Sequence, residues 1–232
     1  MRYKNLILIG SVHVSRDSIE LVKKTIEDEK PVVVALELDH DRLHSLLSDK
    51  KGGKRIKGVG FKGMLFAIIG EWVENKIGKA VNVTPGAEMK AGFYAAKQQG
   101  AKVALIDQHI SITLRRFSQT ITWAEKGRFA WDIISGIIFP KKQMKELNIN
   151  EEELLTKPDK KMIARLLRFV KKRYPNAYNV LVHERNVVMA HNLGHLMRHF
   201  EGKKIVAVVG AGHEEEIIRM LKEKIYKQTK EY

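Results

Sequence analysis

A chain of 232 residues, 44% of them hydrophobic, is long enough to bury a sizeable core and carries no low-complexity tail. It has no cysteine, which excludes disulfides, thiolate metal sites and a cysteine nucleophile, so any metal must be held by nitrogen and oxygen ligands. The formal net charge of +15 suits an acidic partner or surface, but no recognition-helix or aromatic-rich strand pattern accompanies the bases, and nucleic-acid binding ranks last.

Residues 5–9, NLILI, predict a short buried strand. SRDSIELVKKTIEDE then predicts a helix, with Ser15 as N-cap, Asp17 in the positive first turn and Pro31 as the break. The β-branched run VVVALEL predicts a strand covered on both faces. DHDRLHSLLSD follows as a helix with a capping aspartate and Leu43, Leu46 and Leu47 at helical spacing. Residues 52–60 form a glycine-rich basic loop, and FKGMLFAIIGEWVENKIG predicts an amphipathic helix. The basic and amphipathic stretch 49–79 is a candidate for contact with a membrane surface or a second copy of the chain.

VTPGAEMKAGFYAAKQQG predicts a helix with Thr84 as cap, Pro85 at its first position and Gly100 at its stop. AKVALID is the third strand. Residues 111–173 are helical in pieces, broken at Pro140 and Pro158 and restarted at Asn150, and a long helix runs from Pro175 to Phe200. KKIVAVVG is the fourth strand and EEEIIRMLKEKI the closing helix. The alternation predicts an α/β fold: a largely parallel central sheet flanked by helices, with a mainly helical insertion or cap around 111–200 on a single domain. The start, MRYKNLILIG, does not suit a secretory signal, and no run reaches the roughly 18 apolar residues of a spanning helix. The expectation is a cytoplasmic chain or one peripheral to a membrane.

Ligands of an open parallel sheet bind beyond the carboxyl ends of its strands. His13, Glu37, Asp107 and His213 all follow strands there, the two histidines in the matching motifs GSVH (10–13) and GAGH (210–213). Gly10, Gly210 and Gly212 are expected to supply unusual backbone angles that swing each histidine over the sheet edge. Two imidazoles and a carboxylate are a common set for a catalytic divalent metal with an open position for water. His13, Glu37 and His213 are therefore the expected ligands of Mn, Co, Zn or Fe. The alternative from pattern alone is that they are hydrogen-bonded rim residues.

These motifs, with VALELDHDR containing Glu37 and Arg42, PGAEMKAGFYAAKQQGAKVALIDQHI (85–110) and HERNVVMA (183–190), resemble the TraB/PrgY family. That family is related to the Tiki proteases and, more distantly, to the haem-binding ChaN and erythromycin-esterase-like proteins. The resemblance covers nearly the whole chain. It implies an EreA/ChaN-like fold and a metal-dependent peptidase-like hydrolase in which metal-activated water attacks a peptide carbonyl. Pheromone shutdown, by degrading or capturing a peptide, is the role implied by TraB and PrgY themselves. The alternative is a protein that binds or sequesters a peptide or haem without turnover. Many archaeal relatives add membrane-spanning segments after this region, and the sequence ends at YKQTKEY without them.

Arg42 is expected to pair with Glu37 or to hold a substrate carboxylate, or to be an ordinary surface arginine. Glu184 and Arg185 are candidates for proton carrier and oxyanion stabiliser, or else for a buried ion pair between helices. HERNV is not the zincin HExxH, because position 187 is valine. Asp107 could orient a ligand histidine, bind metal or cap a helix, and Glu88 is a weaker candidate for the cleft. His191, His195 and His199, four residues apart, read as a polar helix face rather than a second metal site.

Overall fold

The computed structural model describes residues 1–11, 16–48, 86–138 and 159–224. Five strands form one sheet: β1 (Arg2–Tyr3), β2 (Leu6–Ser11), β3 (Val33–Leu36), β4 (Lys102–Leu105) and β5 (Ile205–Gly210), in the order β1-β2-β5-β3-β4. Only the β1–β2 pair is antiparallel. β1 escapes the sequence pattern because its two residues carry no hydrophobic run. Every residue of β2, β3 and β5 is buried, as parallel strands covered on both faces must be.

Alternation along the strands divides the core into two layers. Leu6 and Leu8 with Val33, Ala35, Ala207 and Val209 face α8 (Glu184–His199) and α9 (Ala211–Glu223). Ile7, Ile9, Val34, Leu36, Val206 and Val208 face the other way, where α1 (Arg16–Glu29) brings Val22 and Ile26 and α3 (Ala87–Gln98) brings Met89 and Ala95. Each of the Leu, Ile, Val and Met side chains among them contributes about 1.5–3 kcal/mol of burial.

The connections fix the place of the site. β2 and β3 hand the chain to helices on the α1–α3 layer, whereas β5, lying between them, hands it to α9 on the opposite layer. The sheet therefore opens a crevice at the carboxyl ends of β2, β5 and β3, the position where α/β sheets hold ligands.

α2 (His40–Leu47) starts behind Asp39, whose side chain accepts from Arg42 N as an N-cap. Between β4 and β5 the described residues are helical: α4 (Ile110–Thr120), α5 (Trp123–Ile138), α6 (Lys160–Arg173), α7 (Pro175–Tyr178), a π-helical turn (Asn179–His183), then α8. The expected helix from Pro175 to Phe200 is thus interrupted by that turn. α3 begins at Ala87 behind Gly86, which lies in the left-handed region (φ 81°) and offers no side-chain cap. Ser15, Thr84, Pro85, the 61–78 helix, Pro140, Asn150 and Pro158 lie outside the described residues. No helix among the described residues is long and apolar enough to cross a membrane.

The motif glycines do not play the backbone role expected of them. None of Gly10, Gly210 or Gly212 has a positive φ, and Gly210 is ordinary extended chain at φ −63°. Two of them are small so that neighbours can close in. A Cβ on Gly10 would lie 2.3 Å from Glu214 Oε2 and 2.8 Å from its Cδ, and one on Gly212 would lie 2.9 Å from Leu167 Cδ1 of α6. Glu214 has little room to retreat, being 2% exposed and held by Lys160 Nζ at 2.5 Å. Gly10→Ala is expected to cost about 1–3 kcal/mol, read as a lower urea midpoint at unchanged slope.

Candidate active site

Glu37 lies one residue past β3, and its amide donates to Val208 O of β5 at 3.1 Å. That pairing aims the carboxylate at the start of α9. Glu37 Oε2 accepts from Gly210 N at 2.6 Å, and Oε1 accepts from Arg185 Nη2 at 2.5 Å. His213 Nε2 stands 3.4 Å from the same Oε1. Burial pushes the Glu37 carboxyl pKa up, but the His213 imidazole, the Arg185 guanidinium and the Gly210 N–H outweigh it, so the pKa is lowered.

Arg185 is itself only 17% exposed, and it crosses to a second acid, Asp107, reaching Oδ2 from Nη2 at 2.5 Å and from Nε at 3.1 Å. Burial works against its charge, yet Asp107 and Glu37 raise its pKa on balance. Asp107 Oδ2 also accepts from Arg42 Nη2 at 2.7 Å, and Arg42 Nε donates to Asp39 Oδ2 at 2.9 Å. Burial raises the Asp107 pKa, but Arg185 and Arg42 lower it by more. The result is one alternating chain of charge: Asp39, Arg42, Asp107, Arg185, Glu37, His213.

This geometry gives the other candidate residues their partners. Arg42 binds Asp39 and Asp107 instead of Glu37, because Arg185 from the distant helix α8 already occupies Glu37. Asp107 anchors both arginines and is not a helix cap; α4 is capped by His109, whose Nδ1 accepts from Ser111 N. Glu184 turns elsewhere, to Arg116 Nη2 at 2.7 Å and Asn179 Nδ2 at 3.0 Å, as a helix-to-helix ion pair. Glu88 is buried in the first turn of α3. His13 lies outside the described residues, and among the described ones no group of three or more His, Asp or Glu is arranged to hold a metal.

Sequence reasoning missed a relay behind His213. Its Nδ1 is 2.6 Å from Asn186 Oδ1, while Asn186 Nδ2 donates to Glu216 Oε2 at 2.8 Å. An ionised carboxylate only accepts, so Glu216 compels Asn186 to offer its NH2 on that side and its carbonyl to His213. The His213 Nδ1 then carries the proton, and Nε2 is the nitrogen turned to Glu37. Glu216 also accepts from His183 Nδ1 at 2.9 Å and Tyr178 Oη at 3.3 Å. The available signals were slight: Asn186 follows Arg185, and Glu216 sits one turn after His213 on the same helix face.

The Glu216 pKa falls to about 2, chiefly through its hydrogen bond with His183, with Asn186 and Tyr178 adding to it against burial. A carboxyl depressed by folding stabilises the native state above its unfolded pKa and loses that contribution as pH falls toward its folded value. Wild-type stability should therefore decline between about pH 4.5 and 2. Glu216→Gln should flatten that decline while lowering stability at pH 7, both measured by urea unfolding across pH.

The sequence profile of the TraB/PrgY/gumN family matches residues 3–230. An uncharacterized protein of Methanocaldococcus jannaschii is 33% identical over 226 residues, covering 94% of this chain and 53% of that protein. TraB domain-containing proteins of Homo sapiens and Mus musculus are each 24% identical over 233 residues, covering 89% of this chain and 60% of theirs. The chain spans little more than half the length of these relatives. With the match running almost end to end, the chain belongs to the TraB/PrgY/gumN family.

Proposed function

We propose that this chain is a metal-dependent, peptidase-like hydrolase centred on Glu37 and His213, with His13 as the third ligand. The observation that carries the reading is His213 Nε2 facing Glu37 Oε1 at 3.4 Å while Asn186 holds Nδ1. A cation lying between that nitrogen and the carboxylate would take the place of the Nε2 proton through which His213 lowers the Glu37 pKa. Zinc bonds to nitrogen and oxygen are about 2.0–2.2 Å long, which puts two ligand atoms roughly 3 Å apart. Once such a cation takes the place of the His213 proton, Glu37, Asp39 and Asp107 stand against Arg42 and Arg185, and one negative charge is left to face it.

When bound, such a metal supplies a Lewis acid that polarises a peptide carbonyl and lowers the pKa of water. The chain's own residues supply the rest. Arg185 and the Gly210 N–H hold the Glu37 carboxylate in one orientation, and Asp107 holds Arg185. Arg42, with a side chain 31% exposed, uses Nε and Nη2 on its acids, and its Nη1 is the group we assign to a substrate carboxylate or to negative charge developing on the carbonyl oxygen. Glu184 receives no step, being held by Arg116 and Asn179. The substrate is a peptide lying across the rim.

Metal analysis of the purified chain beside His13→Ala, Glu37→Gln and His213→Ala tests this. We expect near-stoichiometric divalent metal in the wild type and its loss in the variants, each shown to be folded by circular dichroism. Asn186→Leu should weaken metal affinity by about 10–100-fold. Hydrolysis of a quenched fluorescent peptide pool should stop on chelation and return with metal. Equal metal content in all the proteins overturns the proposal, and bound metal with no turnover leaves the binding alternative.

A further inference from the structure

An open, shallow depression of about 440 Å³ lies between the start of α6 and the first turn of α9. Its charged lining is Lys160, Lys161, Arg165 and Arg168 against Asp159 and Glu215. Lys160 is paired with Glu214 at 2.5 Å, which leaves Lys161, Arg165 and Arg168 against Asp159 and Glu215. Asp159 is occupied in capping α6, accepting from Met162 N at 2.6 Å. Lys161, Arg165 and Arg168 stand at i, i+4 and i+7, so one stripe of the helix turns three cations to the same side. A basic surface without a use would spread its like charges apart through water; here they are gathered around a concavity.

The depression is fixed to the candidate centre. Glu215 is two residues beyond His213, in the same turn of α9. Gly212 leaves out the Cβ that would meet Leu167 at 2.9 Å, so α6 packs closely on that turn. Lys160 then ties α6 to it through Glu214 at 2.5 Å.

We propose that the depression is a subsite for the carboxylates of a bound peptide, from acidic side chains or from a free C-terminus. This rests on the peptide reading of the adjoining centre. It makes acidic peptides the preferred substrate class, recognised by charge-assisted hydrogen bonds from Arg168 and Lys161.

The test is equilibrium binding of fluorescein-labelled peptides to the full chain, followed by anisotropy in EDTA. Neither metal nor turnover is then needed, and failure here is separable from failure of the hydrolase reading. The probes are hexaglutamate and hexaserine, each with a free and an amidated C-terminus, and a single-stranded RNA hexamer. Amidated hexaglutamate should bind at least 10-fold tighter than amidated hexaserine if side chains are read. Free hexaserine should exceed its amide by a like factor if the terminus is read.

The double variant Lys161→Glu/Arg168→Glu should lose at least 10-fold for the preferred carboxylate probe. The milder Lys161→Gln/Arg168→Gln should lose an intermediate amount. Lys24→Glu/Lys97→Glu makes the same change of charge on α1 and α3, across the sheet, and should lose less than 3-fold. Equal losses in the two charge-reversal variants would reduce the effect to net charge and overturn the subsite. Tighter binding of the RNA hexamer, lost in the α6 variant, would make the depression a phosphate reader and overturn the peptide assignment.

Discussion

An ionised carboxylate removed from water at the end of a parallel strand costs several kcal/mol unless it is paired and hydrogen-bonded. Glu37 is that group. Its needs are met because β3 pairs with β5: Leu36 stands opposite Val208, so the residue after β3 meets the amide that opens α9. The remaining charge requires Arg185, which is buried in its turn and requires Asp107. Asp107 admits Arg42, which leans on Asp39 and brings the chain of charge out to solvent. One buried group at a strand end thus accounts for four other charges, drawn from α2, α8 and the segments after β3 and β4.

The helices deliver their side chains by a local irregularity and by close packing. Glu184 N bonds to Asn179 O, a five-residue closure that adds one residue to the ladder before α8. Each residue turns an α-helix by about 100°, so the added one breaks the continuity of face between the segments on either side. Tyr178 and His183, before or within the turn, meet Glu216, while Arg185 and Asn186, just after it, reach Asp107 and His213. Further along, Met189, Leu193 and Met197 lie on the sheet at four-residue spacing. The chain satisfies the rim and the core with one nearly continuous helical run.

The fold was legible where hydrophobic runs were long. VVVALEL and IVAVVG are β-branched and unbroken, and the rule placing ligands beyond the strand ends brought Glu37, Asp107 and His213 into view without coordinates. Pairing was not legible. Both arginines could have served Glu37, and the choice depended on where α8 crosses the rim, a contact between residues 148 apart. Asn186 and Glu216 carried no periodic signal, since one is buried in a helix and the other sits among three consecutive glutamates. Their relay exists only once α8 packs on α9. The π turn was invisible because nothing in PNAYNVLVHERN departs from ordinary helical composition.

The glycines of the two motifs correct a common inference from spacing. A glycine after a strand suggests a special φ, yet Gly10 and Gly212 have none and are small for the sake of their neighbours. Gly10 makes room for Glu214 from the side of β2, and Gly212 admits Leu167 from the side of α6, so both closures bear on the same first turn of α9. Asn186 acts on that turn from α8, through Nδ1 of the residue between them. His213 is therefore held by packing and by its Nδ1 contact with Asn186, with Nε2 turned to Glu37. The orientation of His213 toward Glu37 is thus set by the fold itself.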